Sequence, residues 1–234
     1  MLPGYEKSKE CFEKYGLDLS ADVYEKLDTY AQMLCETNKS VNLTAITEPY
    51  DILLKHFIDS IIMVKYIDFK DNMRVIDVGT GAGFPLLPIK IYKPSVCITL
   101  IDGLNKRVNF LKEVCSKLNI EAECLHERAE LLAKKEMYRE QYDIAVARAV
   151  SPMPVLAEYC LPFVKVNGCL CSLKGPSENI DLASNAISLL GAEITSQTEY
   201  TVNDEKRKII IVKKISHTSS KYPRNSNKII SKPL

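Results

Sequence analysis

The stretch VIDVGTGAGFPLLPIKI, residues 75–91, constrains the fold more than any other part of the chain. A short apolar run, a turn with glycines at 79, 81 and 83, and an apolar segment behind Pro85 read as strand, tight turn and helix. Glycine at three alternate positions lets the backbone take positive φ and approach a ligand with no Cβ in the way. Pro85 suits a first helical turn, where its missing N–H would have had no intrahelical acceptor. Such a turn sets free N–H groups and the positive end of a helix dipole at the carboxyl edge of a sheet.

The flanking pattern says what sheet this is. From about residue 73, apolar runs at 74–78, 97–101, 121–124, 144–147 and 169–173 alternate with helical segments. That alternation predicts an α/β fold, a parallel sheet with helices on both faces. Two β-rich runs, 192–202 and 207–214, are joined by Asn203-Asp204-Glu205 and predict a closing antiparallel hairpin. Residues 1–66 read as helical instead. Val23, Leu27, Tyr30 or Ala31, and Leu34 or Cys35 recur at three- and four-residue steps behind Ser20, a suitable N-cap. A second helix is expected from about Thr47-Glu48-Pro49 through Ile52, Leu53, Phe57 and Ile61, after a polar connection at 38–44. The expected organisation is a helical extension (1–66), a ligand-binding core (67–215) and a basic tail (216–234).

Whole-chain properties narrow the class further. No apolar run is long enough to span a bilayer and the N-terminus lacks the apolar centre of a signal peptide, which predicts a cytoplasmic protein, monomeric by default. The eight cysteines form no Cys-x-x-Cys pair and the three histidines are scattered, so reduced core thiols are expected and no metal site. No residue from Lys206 onward is acidic, while Lys206, Arg207, Lys208, Lys213, Lys214, Lys221, Arg224, Lys228 and Lys232 are all basic. That run predicts either a flexible arm for a polyanion or a solubilising terminus, and charge alone favours neither.

The glycine spacing discriminates between nucleotides. A dinucleotide turn has Gly-x-Gly-x-x-Gly; here the third glycine comes one residue early and is followed by Phe84-Pro85. Asp77 precedes the turn, and a carboxylate there would repel a pyrophosphate but suit a ligand carrying an ammonium and a sulfonium. S-adenosylmethionine (AdoMet) is such a ligand. Asp102, at the end of the next run, is placed to accept hydrogen bonds from ribose hydroxyls, which AdoMet and NAD share. Residues 126–130, with Glu130, follow the third run beside the expected adenine position. Arg148 and Ala149 end the fourth run, over the methyl group. Neither an Asp/Asn-Pro-Pro-aromatic turn nor a Pro-Cys nucleophile stands there, so exocyclic-amine and pyrimidine carbon-5 methylation are disfavoured. An arginine suits an acidic or polyanionic acceptor, or a guanine O6/N7 edge. An NAD-dependent oxidoreductase, a binding module that retains the fold, and a methyltransferase for another RNA or a small molecule are the competing classes.

Taken together, VIDVGTGAGFP, LIDGLNKRVNFL, the Arg128-Ala129-Glu130 segment, VARAV and Leu173-Lys174-Gly175 resemble the bacterial small-subunit ribosomal RNA guanine-N7 methyltransferases, the RsmG or GidB family. NKSVNLTAITEPYDILLKHFIDSI near the N-terminus and KYPR with the final KP extend the resemblance over nearly the whole chain. It implies a class I AdoMet-dependent methyltransferase, Rossmann-like, with a mostly parallel seven-stranded sheet, acting on N7 of a guanine in 16S ribosomal RNA. It implies a cofactor site of Asp77, Gly79, Thr80, Gly81, Gly83, Phe84, Asp102, Ala129, Glu130 and Arg148, with Arg148 between cofactor and substrate. Lys39, Lys174, Arg207, Lys221 and Arg224 become the RNA-binding candidates. Asn38, Lys39, Asn42, His56, Asp59 and Ser60 match the extension's pattern, His56 being either an interface histidine or a substrate contact. Gly103 departs from the family's frequent serine but leaves Asp102 in place. No general acid or base is expected.

Overall fold

The computed structural model describes residues 1–234. Its strands in chain order are β1 (Arg74–Val78), β2 (Cys97–Asp102), β3 (Glu123–His126), β4 (Tyr142–Arg148), β5 (Val164–Lys174), β6 (Ala192–Val202) and β7 (Glu205–Lys214). They form one sheet in the order β3-β2-β1-β4-β5-β7-β6. The first five run parallel, and β7 is antiparallel to both of its neighbours. Val75 to Val78 of central β1 are all buried, as expected of a parallel strand covered on both faces. Asn203 and Asp204, at φ of +50° and +60°, make the two-residue turn of the hairpin, and these two residue types tolerate that region best after glycine. The third strand lies two residues later than its apolar run suggests, because its register is set by β2, with Asp102 opposite His126.

Helix α1 (Tyr5–Lys14) leads to α2 (Ala21–Asn38), whose Ser20 side chain accepts a hydrogen bond from the Val23 amide at 3.3 Å. The expected second helix is continuous but not uniform. It begins as α3 (Pro49–Asp51), widens to a π-helix over Ile52–Ile58, and returns as α4 (Asp59–Ile61). Core helices α5 (Leu86–Tyr92) and α6 (Asn105–Lys117) cover one face of the sheet; α7 (Ala129–Leu132), α8 (Met153–Cys160) and α9 (Ser184–Leu189) lie over the other. Leu27, Tyr30 and Leu34 of α2 and Phe57 of the π-helix share one apolar core with Leu87, Phe110 and Leu111. At about 1.5–3 kcal/mol per fully buried large side chain, the N-terminal helices are an integral layer of the molecule.

The C-terminal segment corrects the expectation of a free arm. Helix α10 (Ser226–Ser231) packs against the body, with Tyr222 and Ile229 buried. Lys214, wholly buried, donates to the Leu161 carbonyl and Thr218 and lies 3.0 Å from Glu140. Arg139 donates to the carbonyls of Thr218, Ser219 and Tyr222. Arg224, an RNA-facing candidate by sequence, instead grips the fully buried Glu158 with its Nε, its Nη2 and its own amide. The tail holds no acidic side chain, but the elements beneath it do. Lys221 remains at the surface over the Tyr222 ring.

Arg224→Ala leaves a buried carboxylate without its cation, and is expected to lower the unfolding free energy by about 3–5 kcal/mol. Urea denaturation measures this directly, with Lys221→Ala expected to match the parent chain.

Candidate functional site

The glycine turn connects β1 to α5 at the carboxyl edge of the sheet, beside the point where strand order reverses between β1 and β4. Gly79, Gly81 and Gly83 have φ of +71°, +61° and +104°. Around Gly81 nothing lies within 4 Å of where a Cβ would stand, whereas one on Gly83 would clash with the Tyr30 hydroxyl. That hydroxyl donates to the Ala82 carbonyl. The first and second glycines therefore face a ligand side or the neighbouring loop, while the third admits helix α2.

Two carboxylates hold the turn from opposite sides. Asp102 accepts the Gly81 amide on one oxygen and the Leu104 amide on the other, both at 2.9 Å, and so joins the turns after β1 and β2. Asp77, wholly buried, accepts from the Thr80 hydroxyl at 2.8 Å and the Leu86 amide at 3.2 Å through one oxygen. Its other oxygen has no partner. Burial pushes the Asp77 carboxyl up to about 7, against the opposing pull of those two hydrogen bonds.

The end of β4 meets the N-terminal layer. Arg148 Nη1 donates to the Lys55 carbonyl at 3.0 Å and to Asp59 at 3.2 Å, and Nη2 lies 3.3 Å from His56 Nδ1. The guanidinium sits over the Phe84 ring, 4.9 Å from its centroid, and His56 stacks on that ring at 4.3 Å. Because arginine only donates, His56 Nδ1 must accept, so the ring proton is on Nε2 and points to Thr44 Oγ1 at 2.8 Å. Burial, and then the Arg148 charge, push His56 down to about 3, so the imidazole is neutral. Asp59 also accepts from the Tyr200 hydroxyl at 2.9 Å. The arginine fork, expected from sequence to suit an acidic or polyanionic acceptor or a guanine edge, is turned mainly to the protein's own N-terminal layer.

Two cavities open along this edge. The smaller, about 170 Å³, is bounded by Gly79, Asp102, Ala129 and Glu130. The larger, about 680 Å³, is bounded by Lys55, Arg148, Ser151, Lys174 and Arg207 among others. Val150 lines both and covers Gly79, and it follows Ala149, whose φ of +53° turns the chain sharply out of β4. Lys174, whose ammonium is disfavoured by burial, donates to the Ser151 carbonyl and lies 3.6 Å from Glu178. Asp77, Thr80 and Phe84, each nearly or wholly buried, line neither cavity. Lys39, exposed and paired with Glu36, lies along neither cavity, nor do Lys221 and Arg224. Sequence reasoning missed Tyr30, Thr44, Lys55, Val150 and Ser151 as parts of this region. Tyr30 read as core, and the others meet their partners in this region through a carbonyl, a hydroxyl, a methyl group or a single lysine ammonium, which carry no pattern in a single sequence.

These residues fit an adenosyl ligand with a cationic amino-acid end. The fit rests on Gly81's open approach, Asp102 beside it, and a buried carboxylate with one unpartnered oxygen. A dinucleotide-binding sheet continues in parallel to its sixth strand, whereas here β7 reverses between β5 and β6. Fold and turn together define an AdoMet-dependent methyltransferase of the Rossmann-like class. A SAM-dependent methyltransferase from Aquifex aeolicus has this fold, with a TM-score of 0.53, covering 70% of this chain and 93% of its own at 19% identity. The chain belongs to the GidB family, "rRNA small subunit methyltransferase G", whose model matches residues 23–210. It is 45% identical over 235 residues to the ribosomal RNA small subunit methyltransferase G of Clostridium perfringens strain SM101, covering 98% of each chain. The corresponding protein of Alkaliphilus metalliredigens is 44% identical over 231 residues, 97% of each.

The glycines are expected to separate on substitution. Gly83→Ala forces Tyr30 and Leu111 aside and should destabilise the fold in urea. Gly81→Ala meets no atom, costs about 1–2 kcal/mol for its left-handed backbone, and should leave a folded protein that binds AdoMet weakly by calorimetry.

Proposed function

We propose that this chain transfers the methyl group of AdoMet to N7 of a guanine in 16S ribosomal RNA, acting as a cytoplasmic monomer on the small subunit or its RNA. The observation that carries the acceptor assignment is the larger cavity. It meets the smaller cavity at Val150, which lines both, and is itself lined by Lys55, Arg148, Lys174 and Arg207 against Asp59, Glu178 and Glu205. Each of those carboxylates is already paired, with Arg148, Lys174 and Arg207 respectively, and His56 is neutral. No free base therefore faces the cavity. Guanine N7 needs none, since its lone pair attacks without prior loss of a proton.

When bound, AdoMet supplies an electrophilic methyl on a sulfonium. The chain's own contribution is to place the base in line with it, an effect of proximity and orientation. Gly79, Gly81, Asp102, Ala129 and Glu130 hold the adenosine end, with Asp102 sharing its carboxylate between the ribose and the Gly81 amide. Arg148, supported on Phe84, lines the base side and flanks the path of attack. Arg207 contacts the RNA backbone, which fixes register without reading sequence, while Lys174 holds the Ser151 carbonyl at the cavity wall. The N7 lone pair must remain free to react, so Arg148 does not hold it in a bidentate fork.

Small subunits from cells lacking the gene, incubated with methyl-labelled AdoMet and cleaved by borohydride and aniline, should show label at one guanine. Label at an exocyclic amine or a carbon, or none in subunit or naked RNA, overturns the assignment. Arg148→Ala should lower the rate on the order of a hundredfold, the cost of a misplaced reactant pair.

Asp77 gives a pH test. Its carboxyl, raised to about 7, is held partly protonated at neutrality by burial, and a bound cation lowers it. AdoMet binding should therefore release protons near pH 7 and strengthen as pH rises through 7. Calorimetry in buffers of different ionisation enthalpy detects the release, and Asp77→Asn should abolish it.

A further inference from the structure

We propose that His56 and Asp59 are positioning residues for the transfer, holding the Arg148 guanidinium over Phe84 so that the N-terminal helical layer completes the active site. The proposal rests on the methyl-transfer function above and adds how the site is aligned.

Arg148 is the last residue of β4, and Ala149 behind it turns the chain away with a positive φ. The strand therefore delivers the Cα but does not orient a side chain this long. Its orientation comes from acceptors across the layer boundary: the Lys55 carbonyl, Asp59 and His56 Nδ1. All three lie on or just after the π-helical turn. There the Asp59 amide reaches back five residues to the Leu54 carbonyl, and it makes no bond to the Lys55 carbonyl that an α-helix would assign it. The π register thus presents one carbonyl, one imidazole and one carboxylate to the same guanidinium.

The imidazole is itself oriented. Its Nε2 proton points to Thr44 Oγ1, which also accepts the Ile46 amide at 3.0 Å. The loop bearing Thr44 is stitched by Asn38, whose carboxamide oxygen accepts the Leu43 and Thr44 amides at 2.8 and 2.9 Å. A chain of oriented contacts runs from Asn38 through Thr44 and His56 to Arg148 and Phe84, the residue that closes the glycine turn. This gives the polar residues of the extension, Asn38, His56 and Asp59, one shared task. A group within this chain acts on the reaction only through Arg148.

The test uses the full-length enzyme, its small-subunit substrate and isosteric substitutions. An asparagine at 56 carries its amide oxygen near the Nδ1 position and can still accept from Arg148; a glutamine reaches toward Thr44 instead. His56→Ala and His56→Gln are expected to lower kcat by about ten- to a hundredfold, the penalty of misorientation, with KM for AdoMet within about threefold. His56→Asn should recover most of kcat, and Asp59→Asn should lower it like His56→Ala. In an Arg148→Ala background, adding His56→Ala should change kcat by less than about twofold, since a residue acting through Arg148 has nothing left to position.

A ring-nitrogen NMR spectrum provides a readout independent of activity. It should show the Nε2-protonated tautomer at His56, with an Nδ1 signal that moves in Arg148→Ala. A purely structural role would lower the unfolding temperature of every His56 variant, leave kcat of the folded enzyme intact, and overturn the proposal. So would His56→Asn as impaired as His56→Ala, losses that multiply in the double variant, or an Nδ1-protonated ring. If the parent enzyme labels no guanine, the substrate assignment fails, while the NMR spectrum still decides whether His56 holds Arg148.

Discussion

With only 16% of its side chain exposed, the Arg148 guanidinium must find acceptors within the protein, and they come from a layer separate in sequence. Leaving such a group unpaired costs several kcal/mol, so β4, the π-helical turn and the glycine turn have to arrive in register together. The arginine lies over Phe84, Phe84 stacks on Tyr30 at 5.5 Å, and Tyr30 closes on Ala82 where Gly83 leaves room. Polar and apolar contacts thus lock the same turn from two directions. The helical extension is a wall of the site and not an appended module.

Electrostatics around the site follow one rule: every carboxylate has an assigned partner except half of Asp77. Asp59 lies between Arg148 and Tyr200, Glu178 beside Lys174, and Glu205 beside Arg207 and Lys55. Such pairing leaves no free acid or base in the larger cavity, in keeping with an acceptor that needs no deprotonation. The unpartnered Asp77 oxygen is the exception that a cationic ligand would answer.

Several features were legible because they depend on neighbours in sequence. The positive φ of Gly79, Gly81 and Gly83, the Ser20 cap, the β1 run and the closing hairpin all follow from local backbone preference and periodicity. The family could be identified from motifs of the same local kind. The strand at Glu123–His126 was misplaced by two residues because its register is fixed by β2, a partner some twenty residues away. Arg224 read as a free cation because its partner, Glu158, lies 66 residues earlier in the chain.

By itself, then, the sequence determined the layer architecture, the glycine turn and the class of ligand it admits, since each rests on which residues adjoin which. Tertiary structure alone decided the task of each charge. Whether an arginine reaches RNA, braces a tail or spans two layers depends on carboxylates and carbonyls brought near only by folding. Burial then makes that pairing obligatory, because a desolvated charge without a partner is too costly to keep. Hence Arg224 became a structural clamp, Arg148 a bridge to the N-terminal layer, and His56 a neutral acceptor whose tautomer no local pattern could reveal.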